Sequence, residues 1–178
     1  MLLPFLTFVA MTAVYDSILT FAPLHLMEGQ RSSPAVFLFV LGATHAASRY
    51  YGGVIVDRVG ASCVLLVGLL CSMASIPLLG WTPFPYAPLL SGMLFGPSFG
   101  AIATATHFRL LSRAKSHESG AANALFNVAF NAGMGVGGLL FGGVASVAGY
   151  PLMFTVAALW ICLAVAVFLV DRARSKVC

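Results

Sequence analysis

The sequence predicts an all-α integral membrane protein with six transmembrane helices, and three observations carry that prediction. Charged residues make up 8% of the chain and hydrophobic residues 60%, whereas a soluble domain carries roughly 25% charged residues. Mean hydropathy is +0.99. The apolar residues fall into six runs, 2–27, 34–56, 61–81, 85–111, 119–147 and 150–171, each near or above the ~20 residues a helix needs to cross the hydrocarbon core. Only helices and closed barrels satisfy every backbone polar group in lipid. These runs lack the alternation and the length of barrel strands. Residues 1–178 therefore read as one six-helix domain, with no linker or low-complexity stretch.

The first run carries Thr12, Asp16 and Thr20 at four-residue spacing, one polar stripe on a helix. It is too long for a signal peptide and has neither a basic leader nor a small-residue cleavage site. The second run holds His45 and Arg49 one turn apart on one face and ends at Gly60, placed as a helix C-cap. Asp57 and Arg58 sit in the tight turn before the third run, and Gly52 and Gly53 offer room for close approach of a neighbour. The fourth run places Gly92, Gly96 and Gly100 on one face, with Pro97 as a kink. The fifth carries Asn123, Asn127 and Asn131, a ladder that either bonds to other helices or lines a polar cavity. Gly133, Gly137, Gly138 and Gly142 follow, in small-xxx-small pairs suited to close packing. The sixth is apolar and leads into a basic tail.

Net charge is +4, but its distribution argues against nucleic acid. Arg58, Arg109, Arg113, Lys115, Arg172, Arg174 and Lys176 fall in alternate gaps and the tail, while the opposite gaps carry only Arg31. The positive-inside rule then puts both termini in the cytoplasm, and Trp81, Phe84, Tyr86 and Tyr150 form an outer aromatic belt. His107 and His117 fall near the cytoplasmic side and read as surface residues. Cys63, Cys71, Cys162 and Cys178 show no paired spacing and read as small apolar residues plus one tail thiol. No P-loop, zinc spacing or dinucleotide fingerprint is present, so no cofactor or metal is expected.

Gly53-x-x-x-Asp57-Arg58-x-Gly60 resembles the loop signature that follows the second helix of each half of a major facilitator superfamily transporter. The two basic residues that continue the fuller pattern are replaced by Ala61 and Ser62, as in second halves of such transporters. "FAPLHL", Arg49-x-x-Gly52 and "HESGAANALFNVAFNAGMGVGGLLFGG" are similar to the C-terminal six-helix half of a drug- or sugar-efflux member. The resemblance implies half of a major-facilitator fold, and a loop (Gly53, Asp57, Arg58, Gly60) that docks on the opposite half and stabilises one access state. "GGVIVDRVG" from Gly52 and "GGVASVAG" from Gly142 echo each other at the ends of helices two and five, where a three-plus-three inverted repeat places equivalents.

An ionisable residue at mid-bilayer costs about 2.5–3.5 kcal/mol on insertion scales, which makes it a functional candidate. Asp16 is the only acid well inside a run; it is either a proton or cation site or a structural carboxylate bonded to a neighbouring helix. Arg49 and His45 are anion or proton partners, or respectively a partner for Asp57 and a packing residue. The asparagines supply neutral contacts. An enzyme is not expected. Gly96-Pro97-Ser98-Phe99-Gly100 matches a nucleophile pattern, but the run 150–171 has no histidine to serve it, and a membrane helix provides no strand-turn-helix elbow.

The expected function is secondary transport of a small solute by alternating access, as proton-coupled efflux, with this chain forming one half. The expected partners are the solute, a coupling proton, the lipid bilayer, and a second six-helix half or a second copy. The expected location is the bacterial inner membrane. The alternative is a non-transporting membrane subunit that packs against a partner through its glycine faces.

Overall fold

The computed structural model describes residues 2–29, 32–114 and 118–174. Arg31, Lys115, His117, Lys176 and Cys178, which entered the topology and thiol readings, lie outside the described residues. Five helical elements follow one another: α1 Leu2–Gly29, α2 Pro34–Val59, α3 Ala61–Gly80, α4 Ala87–Arg113 and α5 Ser119–Arg174. No strand occurs among the described residues.

The first four elements lie within a few residues of the expected runs. The last two expected runs, 119–147 and 150–171, instead form one continuous element. That element contains a break at Gly149, whose backbone is non-helical at φ 78°, ψ 169°. Positive φ is open to glycine at little cost. The chain reverses there in a single residue, and Pro151 is suited to the start of the segment that follows. Gly60 does the same between α2 and α3 at φ 84°, and its N–H bonds the Val56 carbonyl at 2.9 Å. These are the two positive-φ glycines among the described residues.

Four elements are long and apolar enough to cross a membrane: Phe5–Gly29, Ala61–Gly80, Ala87–Ser112 and Ser119–Val170. The last spans 52 residues, more than twice the ~20 of one crossing. α2 has the length, at 26 residues, but it is not among the four. His45, Ser48, Arg49, Tyr50, Tyr51, Asp57 and Arg58 dilute its apolar content.

α1 packs mainly on α5 and α2 on α4, while α3 leans on α4 and α5. Both main seams are built on glycine. A Cβ at Gly96 would collide with the Thr44 hydroxyl and lie 2.6 Å from the Leu41 carbonyl; one at Gly100 would lie 2.8 Å from the His45 carbonyl. Ser48 clasps the same seam by donating to the Pro97 carbonyl at 2.6 Å. Across the other seam, a Cβ at Gly133 would lie 2.6 Å from the Val9 carbonyl, and one at Gly137 would meet the Ala13 backbone. Such approach maximises dispersion contact, which matters more in lipid, where burying apolar surface between helices gains little. α4 runs through Pro97 as one helix.

Gly137→Val should therefore wedge α1 away from α5, while Gly135→Val, with open space around it, should not. Overpacking of this kind costs about 1–3 kcal/mol or more. Thermal unfolding in lipid nanodiscs should show a clear drop in Tm for Gly137→Val and little change for Gly135→Val. Equal behaviour would show that the seam is not close-packed.

Candidate functional site

α1 lies between α2 and α5 and touches both. Consecutive residues on a helix point about 100° apart, so Tyr15 and Asp16 serve different neighbours. Tyr15 turns toward α2 and α4. Its ring stacks on Phe99 with centroids 4.0 Å apart and planes 6° from parallel, and its hydroxyl lies 3.2 Å from His45 Nδ1. The His45 ring meets Phe99 edge-on at 5.5 Å. The other ring nitrogen, Nε2, is buried without a hydrogen-bond partner. Arg49, one turn along α2, is exposed and makes no hydrogen bond or ion pair among the described residues. Its charge is close enough to act electrostatically on both Tyr15 and His45.

The rings continue beyond this pair. Phe99 lies 6.4 Å from Phe8 in nearly parallel planes, Phe8 stacks on Phe126 at 4.6 Å, and Phe126 meets His107 at 4.8 Å. A row of aromatic side chains thus crosses from α2 through α1 and α4 to α5. His107 is half-buried, and its Nε2 is hydrogen-bonded to the Asn123 side-chain oxygen. The imidazole thus sits at the surface with one face against the ring of Phe126.

Asp16 turns toward α5. It is half-buried, and its Oδ2 lies 3.4 Å from where a side chain on Gly138 would begin. It makes no hydrogen bond or ion pair among the described residues, so no carboxylate bond to a neighbouring helix is found. The expected stripe with Thr12 and Thr20 divides. Thr12 is fully buried in the α1–α5 seam and donates to the Phe8 carbonyl at 2.7 Å, whereas Thr20 is exposed.

The asparagine ladder is exposed along its length. Asn127 donates its amide to the Asn123 carbonyl at 3.1 Å and Asn131 to the Asn127 carbonyl at 2.8 Å. Only Asn123 reaches another helix, through His107. The ladder therefore leaves the side-chain oxygens of Asn127 and Asn131 facing outward rather than into an interhelical bond.

Asp57 and Arg58 are exposed in the last turn of α2, where a cation is favoured by the helix dipole. Asp57 makes no ion pair with Arg49. Gly52 is packed on Thr104, where an added Cβ would lie 3.0 Å from the hydroxyl, but Gly53 faces open space. The close approach expected of both glycines is thus realised by one. Gly96 and Gly100 of the nucleophile-like pattern serve the α2–α4 seam, and Ser98 donates to the Leu94 carbonyl of its own helix.

The residues read from the sequence do not form one cluster. His45 and Arg49 gather with Tyr15 and Phe99, while Asp16 and the asparagines lie toward α5. Tyr15 and Phe99 went unread because an aromatic in an apolar run signals only packing. The one available hint was the polar tip of Tyr15, placed at mid-span beside Asp16.

Tyr15→Phe keeps the stack on Phe99 and removes only the hydroxyl contact to His45, at a cost of about 1 kcal/mol. Phe99→Ala empties the centre of the stack and should cost about 3–5 kcal/mol. Unfolding in nanodiscs should rank Phe99→Ala well below Tyr15→Phe. The reverse order would place the weight of this cluster on the hydrogen bond.

Comparison with known proteins agrees with this architecture. The family model described as Major Facilitator Superfamily matches residues 5–177. An MFS-type transporter of Burkholderia mallei (strain SAVP1) is 27% identical over 147 residues, covering 83% of this chain and 36% of the relative. One from Burkholderia pseudomallei (strain K96243) matches with the same figures. The chain thus spans about a third of the length of the curated relatives it matches. Among solved structures, the peptide transporter POT in complex with sulfate superposes with a TM-score of 0.84 at 21% identity, covering 96% of this chain and 37% of that one. A mutant of POT in complex with alafosfalin gives the same score over 97% of this chain and 38% of its own. At that identity the superposition speaks for the fold alone. With the apolar helices and a family match over nearly its whole length, the chain is an integral membrane protein belonging to the major facilitator superfamily of membrane transporters.

Proposed function

We propose that this chain forms one six-span half of a secondary transporter, which moves a small solute by alternating access in exchange for protons. The observation that carries this reading is the polar content of three neighbouring helices. Asp16 on α1 and Arg49 on α2 have no partner among the described residues, and Asn127 and Asn131 on α5 are exposed. In contact with lipid each charged group would cost about 2.5–3.5 kcal/mol or more. A water-filled cavity closed on its far side by a second half, or by a second copy of this chain, removes that cost.

The six spans follow from dividing α5 at Gly149, with α2 counted as a span because its polar face turns to the cavity. A three-plus-three inverted repeat is supported by the two positive-φ glycines, Gly60 and Gly149. They end matching segments that begin at Gly52 and Gly142. The repeat is supported as well by the partner pattern: α1 pairs with the fifth helix and α4 with the second, which exchange under such symmetry. Both termini then lie on the cytoplasmic side of a bacterial inner membrane. Asp57 and Arg58 act as a gating contact against the other half, and Gly53, open within this chain, is the place where that half comes close.

Asp16 is the coupling carboxylate in this scheme, because it can hold either a proton or a charge beside the bound solute. Asp16→Asn fixes the neutral form. In proteoliposomes holding the assembled transporter, the variant should lose accumulation against a gradient, by ten-fold or more, yet retain counterflow without one. Accumulation with an unchanged pH dependence would make Asp16 structural and sink the coupling scheme.

A further inference from the structure

Arg49 sits near the middle of α2, about 15 Å from the helix end at 1.5 Å per residue. A guanidinium at such depth calls for a counter-anion. The acids of this chain that lie close in the fold or sequence do not supply one. Asp57 is two turns away and unpaired among the described residues, and Asp16 lies beside Gly138 on the α5 side of α1. One turn from Arg49, the His45 ring is held at Nδ1 by the Tyr15 hydroxyl, 3.2 Å away. When that hydroxyl donates to Nδ1, the ring proton resides on Nε2, which is buried and has no partner. A cation and a neutral donor on one helix face, one turn apart, are thus both without an acceptor among the described residues. Beside them the half-buried Tyr15 ring is held flat by stacking at 4.0 Å on Phe99, which is itself fully buried.

The geometry points to an anion subsite in which Arg49 and His45, with His45 oriented by Tyr15, take the carboxylate of a small solute. The planar fork of arginine fits two carboxylate oxygens together. A small rotation of the imidazole that keeps the Nδ1 contact with Tyr15 turns Nε2–H toward the solute as a further donor, while the solute's apolar body lies against the half-buried Tyr15 ring. Tyr15 is a positioning residue here, since it acts through the ring of His45. This inference rests on the transport reading and narrows its solute to carboxylates.

The test uses the full chain in lipid nanodiscs, with benzoate as probe and benzamide as its neutral match, read by titration calorimetry. Benzoate should bind saturably, and benzamide at least ten-fold more weakly. Arg49→Gln should weaken benzoate at least ten-fold, Arg49→Lys several-fold, because it keeps the charge but not the fork. Tyr15→Phe should weaken it a few-fold without abolishing it. If Arg49→Gln does not fold, the comparison of benzoate with benzamide and the Arg49→Lys titration decide. Equal binding of the two probes overturns the subsite, as does unchanged binding in Arg49→Gln. Absence of benzoate binding overturns it too, and is the outcome expected if an acid of a partner half neutralises Arg49. Benzoate binding by a protein that moves no solute would support the subsite and contradict transport; transport of a neutral solute without benzoate binding would do the reverse.

Discussion

Close backbone approach across glycine is the interaction on which the remainder of this structure depends. In lipid, two apolar side chains gain little by meeting, so helices associate where small residues let their backbones come near. Gly96 and Gly100 bring α4 against α2; Gly133 and Gly137 bring α5 against α1. With those seams closed, Tyr15, His45 and Phe99 from three different helices meet in one stack. Loosening either seam would separate them, and Gly100 packs directly against His45, where an added Cβ would lie 3.0 Å from the ring.

The same seams sort the polar groups. Hydroxyls inside them are satisfied by backbone carbonyls: Thr12 by Phe8, Ser48 by Pro97, and Thr44 by Val40 at 2.7 Å. Bonding back to a carbonyl of its own helix satisfies a buried hydroxyl at the cost of a slight bend, whereas the Ser48 bond crosses the seam. Asp16, Arg49, Asn127 and Asn131 have no such arrangement with another helix. Ser72 and Ser91 are buried without such a bond, but these seam hydroxyls are satisfied within the bundle, while Asp16, Arg49, Asn127 and Asn131 are turned outward or unpaired among the described residues. This separates residues that hold the bundle together from those that face something else. That division, more than the presence of any one residue, favours a transport role over a packing role.

Much of the fold was legible in the sequence because the bilayer allows few alternatives. Run lengths gave the helices, and the four-residue glycine spacings gave both seams. Gly60 was legible as a cap from its place between two runs. The break at Gly149 was placed correctly in sequence, yet the helix resumes so promptly that one element of 56 residues results. The site was less legible. Spacing grouped His45 with Arg49 correctly, since both lie on one helix. Grouping Asp16 with them required knowing how α1 is rotated between its two neighbours. One residue of offset decides that rotation, and it put Tyr15, not Asp16, on the His45 side.

The central claim is that the outward polar face borders water and the rest of the surface borders lipid. Spin labels at Asn131→Cys and Leu139→Cys, two turns apart on α5 and both exposed, test it most directly once the native cysteines are replaced. Collision rates are measured with a water-soluble nickel chelate and with oxygen, which concentrates in lipid, using the protein assembled in a bilayer. The account predicts that the label at Asn131 favours the nickel reagent and the label at Leu139 favours oxygen. An oxygen-dominated signal at both positions would contradict it, because the asparagine ladder would then face lipid.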